Sequence, residues 1–297
     1  MNKNNFLAIT VAALFAILLF TPSNSEQFNK QLPAFPSPAT IEILSLPDIE
    51  AQSALAYDFS SEKIIFEKNK EDVRPLASLT KVVSMLTILK ELNTEEEVEI
   101  SKRAILTEGP SGLLVGEHFR VRDLLAFVMV ESSNDAVEAL VEHLAKKNGV
   151  AAEAADAWFL NLMRDEAQSL GAGTMMFYNP TGLDIGLEAG AYGSTEDLIN
   201  IIKSSLGSEL WQFGSVTEVA SQGGKIHKLK PTNLLQGDLN LLIGAKTGST
   251  DLAGGNLLVI VQYPLGHPIG IVVLGSTDDG RFSDVKAIFE WVKNNPL

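Results

Sequence analysis

Strand-like segments at both ends of the folded region, with helix-like segments between them, limit the fold more than any other feature of the sequence. Three apolar, β-branched runs near the C-terminus, bounded by Gly, Pro and Asp, predict strands at 240–246, 256–263 and 269–276. Two shorter runs at 51–59 and 63–67 predict a hairpin. The simplest assembly pairs the strands of both ends in one antiparallel sheet flanked by helices, with the helical middle as a separate lobe and a site where the lobes meet. The predicted fold class is therefore α/β, of the α+β type.

The middle of the chain predicts a series of helices with recognisable ends. Gly149 and Gly171 each stop a helix, and Ser194 begins another as its N-cap. The segment 78–92 is largely apolar and predicts a buried helix. The predicted helices are 78–92, 121–130, 135–147, 153–170, 195–206 and 282–293.

The composition argues against several classes of function. The chain has 297 residues, of which 45% are hydrophobic, and its net charge of −14 makes nucleic acid an unfavourable partner. It has no cysteine, which excludes disulfides, thiolate metal sites and cysteine nucleophiles. The four histidines are widely spaced and do not form an H-E-x-x-H pattern, which argues against a zinc enzyme and a histidine-based triad. No metal or organic cofactor is expected.

The N-terminus is typical of a targeting segment. An uninterrupted apolar run at 6–20 follows Lys3 and ends in a polar stretch with small residues. The run is shorter than the roughly 20 residues of a spanning helix, so residues 1–25 predict a secretory signal peptide, with an uncleaved membrane anchor as the alternative. Both interpretations place the folded part outside the cytoplasm. Residues 26–45, rich in Pro, Ser and Gln, predict a linker, and residues 46–297 the functional domain.

A serine and a lysine three residues apart, Ser78 and Lys81, stand at the predicted start of the buried helix. At that spacing the two side chains share one helical face and can act as nucleophile and base. The same pattern also occurs at Ser60 and Lys63, but in a predicted hairpin the two side chains point to opposite faces. Taken alone, Ser78 could equally serve as an N-cap.

Two further short motifs follow in chain order, Ser132-x-Asn134 and Lys246-Thr247-Gly248. The first lies between two predicted helices and could simply cap the second, and the other could be an ordinary strand end. All three motifs, however, lie in the structural context that acyl-transfer chemistry needs: a helix start, an inter-helix loop and a strand. Their joint occurrence favours a shared catalytic site.

The three motifs in this order resemble those of penicillin-binding proteins and class A β-lactamases. The resemblance is closest to the serine-type D-alanyl-D-alanine carboxypeptidases, which are low-molecular-mass penicillin-binding proteins of the DD-peptidase and β-lactamase superfamily. It covers residue 46 to the C-terminus. The segments that carry it are 77–81, 132–136, 179–183, 232–235, 244–250 and 253–254.

This resemblance implies hydrolysis of the terminal D-alanyl-D-alanine bond of the peptidoglycan stem peptide through an ester on Ser78, with β-lactam antibiotics as covalent inhibitors. Lys81 is expected to take the serine proton in its neutral form, and the helix N-terminus and Lys246 are expected to lower its pKa. Ser132 is expected to relay a proton to the departing nitrogen. Asn134 is expected to orient the substrate and hold Lys81.

The remaining expected site residues belong to the last strand and the segment after it. Lys246 and Thr247 are expected to bind the substrate carboxylate, and Gly248 to leave room for the substrate along the strand. By resemblance, the backbone N–H groups of Ser78 and Ser249 would form the oxyanion hole. Arg281 is expected either to support carboxylate binding or to be a surface charge at a helix start.

The sequence also departs from its relatives. Members of the family often carry a further β-rich domain and an amphipathic C-terminal helix, whereas this chain ends soon after Trp291, so anchoring is expected from the N-terminus alone. The Glu-x-x-Leu-Asn motif of class A β-lactamases is not visible before Lys246, which argues against a β-lactamase. A DD-endopeptidase acting through the same residues and a non-catalytic cell-wall binding module remain alternatives.

Overall fold

The computed structural model describes residues 46–109, 112–235, 237, 239 and 241–295. The predicted targeting segment and linker, residues 1–45, lie outside the described residues. The α-helices of the described part are α1 (Thr80–Glu91), α2 (Val121–Val130), α3 (Asn134–Lys147), α4 (Ala155–Ser169), α5 (Thr195–Ser205) and α6 (Gly280–Asn294). None of the helices in this part is long and apolar enough to cross a membrane.

The described part of the chain also contains strands of two to nine residues. They are β1 (Ser53–Asp58), β2 (Lys63–Lys68), β3 (Arg74–Pro75), β4 (Glu97–Glu99), β5 (His118–Arg120), β6 (Met176–Phe177), β7 (Ala191–Gly193), β8 (Glu218–Ala220), β9 (Ile226–Lys228), β10 (Leu242–Thr250), β11 (Gly254–Gln262) and β12 (Pro268–Ser276). The predicted helices and strands are all present, with ends displaced by a few residues.

The main sheet joins the two ends of the described chain, as the strand pattern predicts. Its five strands have the order β10-β11-β12-β1-β2 and are antiparallel, with Ser53 opposite Leu274 where β1 meets β12. Strand β10 is one edge of this sheet. The remaining strands form short ladders among the helices: β3-β7-β6, β4-β5 and β8-β9.

Both faces of the main sheet are covered, because its central strands are apolar at successive positions. In β11, Leu258 and Ile260 belong to the core shared with the helical lobe, whereas Leu257 and Val259 belong to a second core that includes α6 residues such as Val285. Side chains alternate between the faces of a strand, so an unbroken apolar run has to be covered on both sides. The helical lobe covers one face and α6 the other.

The nucleophile segment begins with a 3₁₀ turn, Ala77–Leu79, which runs directly into α1. Helix α1 is buried without interruption from Thr80 to Ile88, as expected for a helix that is apolar on most sides and lies in the centre of the molecule. Ala77 has φ +48°, in the left-handed region. That conformation is costly for a residue other than glycine and marks the residue just before Ser78 as a constrained position.

The last helix is tied to the first strand by one buried carboxylate. Asp284 accepts hydrogen bonds from the backbone N–H groups of Glu50 and Ala51, at 2.9 and 2.8 Å, and from the Ser276 hydroxyl at 2.6 Å. Because three donors depend on this one side chain, it fixes the entry into β1 against the end of β12.

Candidate active site

Ser78 and Lys81 face each other across the first helical turn, as their spacing predicts. Lys81 Nζ lies 2.6 Å from Ser78 Oγ and 2.9 Å from the carbonyl oxygen of Thr181. The Lys81 side chain is completely buried. Ser78 does not act as an N-cap, since the residue at that position of α1 is Leu79, which makes no side-chain cap.

A tight turn at 179–183 holds the second partner of Lys81 in place. The Asn179 side chain accepts hydrogen bonds from the backbone N–H groups of Thr181 and Gly182 and donates to the Leu183 carbonyl. The turn lies so close to the nucleophile segment that a Cβ on Gly182 would stand 1.9 Å from the Ala77 carbonyl oxygen. Glycine is therefore required there, and the Thr181 carbonyl is aimed at Lys81.

Ser132 and Lys246 form a second hydrogen-bonded pair. Lys246 Nζ lies 2.7 Å from Ser132 Oγ and 2.8 Å from the carbonyl oxygen of Thr247. Ser132 has φ +60°, so the chain turns sharply there between α2 and α3. Its neighbour Ser133 caps α3 by accepting from Ala136 N, which leaves the Ser132 hydroxyl to the site. Capping, one of the two interpretations of this motif, thus applies to Ser133 and not to Ser132.

The pKa of Lys81 is lowered well below the usual value for lysine, first by burial and then by the charge on Lys246. Complete burial of the side chain is the larger cause, ahead of the cation Lys246 that the sequence indicated. Burial also lowers the pKa of Lys246 to about 7, with Arg281 as the second cause. The neutral form of Lys81 is therefore favoured, and Lys246 can exchange a proton near neutral pH.

Thr247 and Gly248 bring β10 against the nucleophile segment. The Thr247 hydroxyl lies 2.7 Å from the Thr232 hydroxyl. A Cβ on Gly248 would stand 2.9 Å from the Leu76 carbonyl oxygen and 3.1 Å from the backbone nitrogen of Ser78. Glycine is needed at position 248 because the chain's own backbone leaves no room for a side chain there. The reason inferred from the sequence was a different one, namely room for the substrate.

Asn134 does not hold Lys81, contrary to the expectation from the sequence. Its Nδ2 donates to the carbonyl oxygen of Glu108 at 2.5 Å, and its buried Oδ1 has no hydrogen-bond partner among the described residues. The position beside Lys81 that the amide was expected to fill is taken by the Thr181 carbonyl. Sequence reasoning missed the carbonyl oxygens of Thr181 and Glu108 as acceptors, because every residue has a backbone carbonyl and no residue type distinguishes these two.

Ser249 and Arg281 flank the outer end of the site. The Ser249 hydroxyl donates to Asp278, while Arg281 donates to the Gly248 carbonyl at 2.7 Å and lies 3.7 Å from Asp278. Arg281 is partly buried, and its Nε has no hydrogen-bond partner. The guanidinium therefore lies directly behind β10 and is more than a surface charge at a helix start.

The second Ser-x-x-Lys pattern lies away from this group. Ser60 belongs to the turn between β1 and β2, where its backbone N–H donates to Asp58, and Lys63 is an exposed residue at the start of β2. No hydrogen bond joins Ser60 to Lys63 among the described residues. Nor does the described part of the chain contain a group of three or more His, Cys, Asp or Glu residues that could hold a metal ion.

Known proteins with similar sequences match most of the chain. The chain is 26% identical to D-alanyl-D-alanine carboxypeptidase DacC of Escherichia coli (strain K12), over 87% of this chain and 64% of that protein. It is 28% identical to DacA of the same organism, over 84% and 62%. It is also 25% identical to a D-alanyl-D-alanine endopeptidase of Escherichia coli (strain K12), over 85% and 80%. The chain thus spans a little under two thirds of the length of the two carboxypeptidases.

Solved structures show the same fold. The DD-transpeptidase of Streptomyces K15 superposes with a TM-score of 0.75 at 25% identity, covering 84% of this chain and 98% of that one. Penicillin-binding protein D2 from Listeria monocytogenes, in the cefotaxime bound form, gives 0.68 at 26%, covering 82% and 97%. The sequence profile of the D-alanyl-D-alanine carboxypeptidase family, Peptidase_S11, matches residues 40–278. Because this profile matches most of the chain, the chain belongs to the D-alanyl-D-alanine carboxypeptidase family Peptidase_S11.

Proposed function

We propose that the protein is a serine DD-carboxypeptidase that removes the terminal D-alanine from peptidoglycan stem peptides and is acylated by β-lactam antibiotics. The observation that carries this proposal is the contact of 2.6 Å between Ser78 Oγ and a completely buried lysine amine of lowered pKa. A serine hydroxyl becomes a good nucleophile only when a base removes its proton, and a neutral lysine at this distance can do so.

Acylation begins with attack on the carbonyl carbon of the penultimate D-alanine. Ser78 Oγ forms the new ester bond while its proton moves to Lys81, whose other hydrogen bond, to the Thr181 carbonyl, keeps the amine in place. The backbone N–H groups of Ser78 and Ser249 are proposed as the oxyanion donors. The close approach of β10 at Gly248 to Ser78 N supports this, because it brings the two segments within van der Waals contact.

Departure of D-alanine needs a proton on its nitrogen. We assign the relay to Ser132, because its hydroxyl is hydrogen-bonded to Lys246, a lysine whose pKa of about 7 allows it to donate and regain a proton. The carbon–nitrogen bond breaks and the amine leaves protonated. Once Lys81 has given up the proton it took from Ser78, it can accept a proton from the water that hydrolyses the ester, and Ser78 regains its proton. Asn134, which begins α3 two residues after Ser132, is assigned to orient the substrate backbone.

The terminal carboxylate of the substrate is assigned to the positive end of the cleft. Lys246, the Thr247 hydroxyl and the charge of Arg281 behind the strand together favour an anion there. A carboxylate next to Lys246 also raises the pKa of that lysine and restores its charge. Since the stem peptide lies in the cell wall, we place the folded domain outside the cytoplasm, in keeping with the apolar run at 6–20.

Mass spectrometry of the protein after incubation with penicillin tests the proposal most directly. We expect one adduct on the peptide that contains Ser78, loss of the adduct in Ser78→Ala, and release of D-alanine from a pentapeptide by the wild type only. The same spectra identify the mature N-terminus. D-alanine release that survives in Ser78→Ala would refute the assignment of the nucleophile, and rapid turnover of a chromogenic cephalosporin would indicate a β-lactamase.

A further inference from the structure

Thr232 links the end of helix α2 to strand β10. Its backbone N–H donates to the carbonyl oxygen of Val130 at 3.0 Å. Its hydroxyl lies 3.3 Å from the same carbonyl oxygen and 2.7 Å from the Thr247 hydroxyl. Val130 is the last residue of α2, two positions before Ser132, and Thr247 lies in β10. The Thr232 hydroxyl is therefore in direct contact with a side chain that we assign to the substrate carboxylate.

The position of this hydroxyl is fixed by the chain around it. The backbone N–H of Lys230 donates to the Glu131 carboxylate at 2.7 Å, which ties the segment to the end of α2. Pro231 comes directly before Thr232, and its ring fixes its own φ. A threonine side chain is branched at Cβ and has few rotamers. The Thr232 hydroxyl is thus a constant neighbour of Thr247.

The number of protons sets the direction of the hydrogen bond between the two threonines. Each hydroxyl has one proton to donate and can also accept, whereas the Val130 carbonyl can only accept. Both contacts of the Thr232 hydroxyl are hydrogen bonds only if it donates to Val130 and accepts from Thr247. In this arrangement the single proton of the Thr247 hydroxyl is already donated to Thr232.

A bound carboxylate requires the opposite direction. A carboxylate only accepts, so Thr247 has to donate to it, and Thr247 can then accept from Thr232. The proton of Thr232 turns from the Val130 carbonyl to Thr247, while that carbonyl keeps the backbone N–H of Thr232 at 3.0 Å. The change gives up the longer hydrogen bond, of 3.3 Å, and gains a charge-assisted one.

We propose that Thr232 is a positioning residue for the substrate carboxylate: it reverses its hydrogen bond with Thr247, which frees the Thr247 hydroxyl to donate to the carboxylate. No covalent bond changes in this step, and each hydroxyl keeps its own proton. The inference rests on the proposed function, from which it takes the binding of the carboxylate at Thr247. It assigns a role to a residue that takes no part in the catalytic steps themselves.

The test compares two acylating agents that differ only at the carboxylate. Benzylpenicillin has a free carboxylate and its methyl ester has none, and mass spectrometry gives the second-order rate constant of adduct formation for each. Thr232→Val keeps the shape of the side chain and removes the hydroxyl. It should lower the ratio of the acid rate constant to the ester rate constant by about tenfold, through a slower reaction of the acid. Thr232→Ser keeps the hydroxyl and should retain the wild-type ratio.

Two further variants show whether Thr232 acts through Thr247. Thr247→Val should lower the ratio at least as much as Thr232→Val does. Adding Thr232→Val to it should change the ratio no further, because the two side chains act as one unit. Thr217→Val, at an exposed position just before β8, is the matched control and should leave both rate constants unchanged.

Each outcome decides between the alternatives. A wild-type ratio in Thr232→Val overturns the proposal, and so does an equal fall of both rate constants, which is the sign of a merely structural role. A further fall of the ratio in the double variant overturns it as well. Thr232→Ala takes the place of Thr232→Val if the valine variant does not fold. A wild type that forms no adduct with either agent overturns the proposed function, and the role of Thr232 with it.

Discussion

The amine of Lys81 has two close partners, a hydroxyl and a carbonyl, and in the described part of the chain no carboxylate is hydrogen-bonded to it. A carboxylate at this position would stabilise the charged form of the lysine, whereas a hydroxyl and a carbonyl do so only weakly. Complete burial and the nearby cation Lys246 lower the pKa of Lys81, and the more distant charge of Glu138 opposes them without cancelling the effect.

Lys81→Arg should slow acylation strongly, because it replaces an amine that can be neutral by a side chain that stays charged. A guanidinium does not lose its proton near neutral pH, so it cannot accept the proton of Ser78. We expect the rate of labelling by fluorescent penicillin to fall by about 10²–10⁴-fold. Lys63→Arg, in the other Ser-x-x-Lys pattern, should label at the wild-type rate. Normal labelling of Lys81→Arg would rule out lysine as the base.

Binding of a carboxylate ligand should be coupled to proton uptake at Lys246. The pKa of this lysine is about 7 in the free enzyme, and a bound carboxylate raises it. Above pH 7 the free amine is mostly neutral and takes up a proton on binding, whereas well below pH 7 it is already charged and takes up none. Affinity should therefore fall as the pH rises above 7.

Calorimetry in buffers of different ionisation enthalpy measures this proton uptake. The ligand is acyl-D-Ala-D-Ala and the protein is Ser78→Ala, which cannot turn it over. Uptake should be present at pH 8, absent at pH 6 and abolished by Lys246→Met. Equal uptake at both pH values would show that the lysine is not the group that titrates.

At the scale of the element, strand β10 contains the Lys-Thr-Gly motif in its interior rather than at its end. The sequence predicted a strand to Lys246, because Thr247 and the residues after it are small and polar, but the ladder continues to Thr250 opposite Gly254. Pairing with β11 extends the strand beyond the point at which its own hydrophobic pattern ends. Side-chain pattern alone could not show this, since the extension depends on a partner strand.

Gly248→Ala should separate β10 from the nucleophile segment. The added Cβ would lie 2.9 Å from one backbone atom and 3.1 Å from another, neither of which can turn away as a side-chain tip can. We expect a loss of about 1–3 kcal/mol in stability and a slower penicillin acylation rate. Gly207→Ala is the matched control, because a Cβ there has no atom within 4 Å. Wild-type acylation in Gly248→Ala would show that the close approach has no catalytic role.

The predictable part of the site consists of side chains, and the unpredicted part consists mainly of backbone. Ser78, Lys81, Ser132 and Lys246 form two hydrogen-bonded pairs at the distances their chemistry requires. Their positions follow from helix spacing, a loop and a strand. The Thr181 and Glu108 carbonyls and the contact between Thr232 and Thr247 depend on how distant segments pack. No local sequence pattern specifies those contacts.

At the scale of the whole molecule, the stability of the fold should depend on Asp284. Its replacement by alanine leaves two backbone N–H groups and the Ser276 hydroxyl without their acceptor. We expect Asp284→Ala to lower the free energy of unfolding by about 3 kcal/mol, measured by denaturant titration. Asp284→Asn keeps one acceptor oxygen and should cost less. Asp279→Ala, an exposed carboxylate with no cap hydrogen bond, should be neutral. Equal stability of all three variants would refute this assignment.

The sheet that joins both ends of the chain sets the order in which the active site can form during synthesis. The 3₁₀ turn with Ser78 and helix α1 with Lys81 are made early, but β1 meets its second neighbour, β12, only late, and the contact between Ala51 and Asp284 joins positions 233 apart. Contacts so far apart in sequence are slow to form, because the loop entropy is lost before the pairing is gained. A nascent chain that has not yet reached β10 therefore contains its nucleophile and base without the strand that lies against them. The site can be complete only after the C-terminal strands have been made.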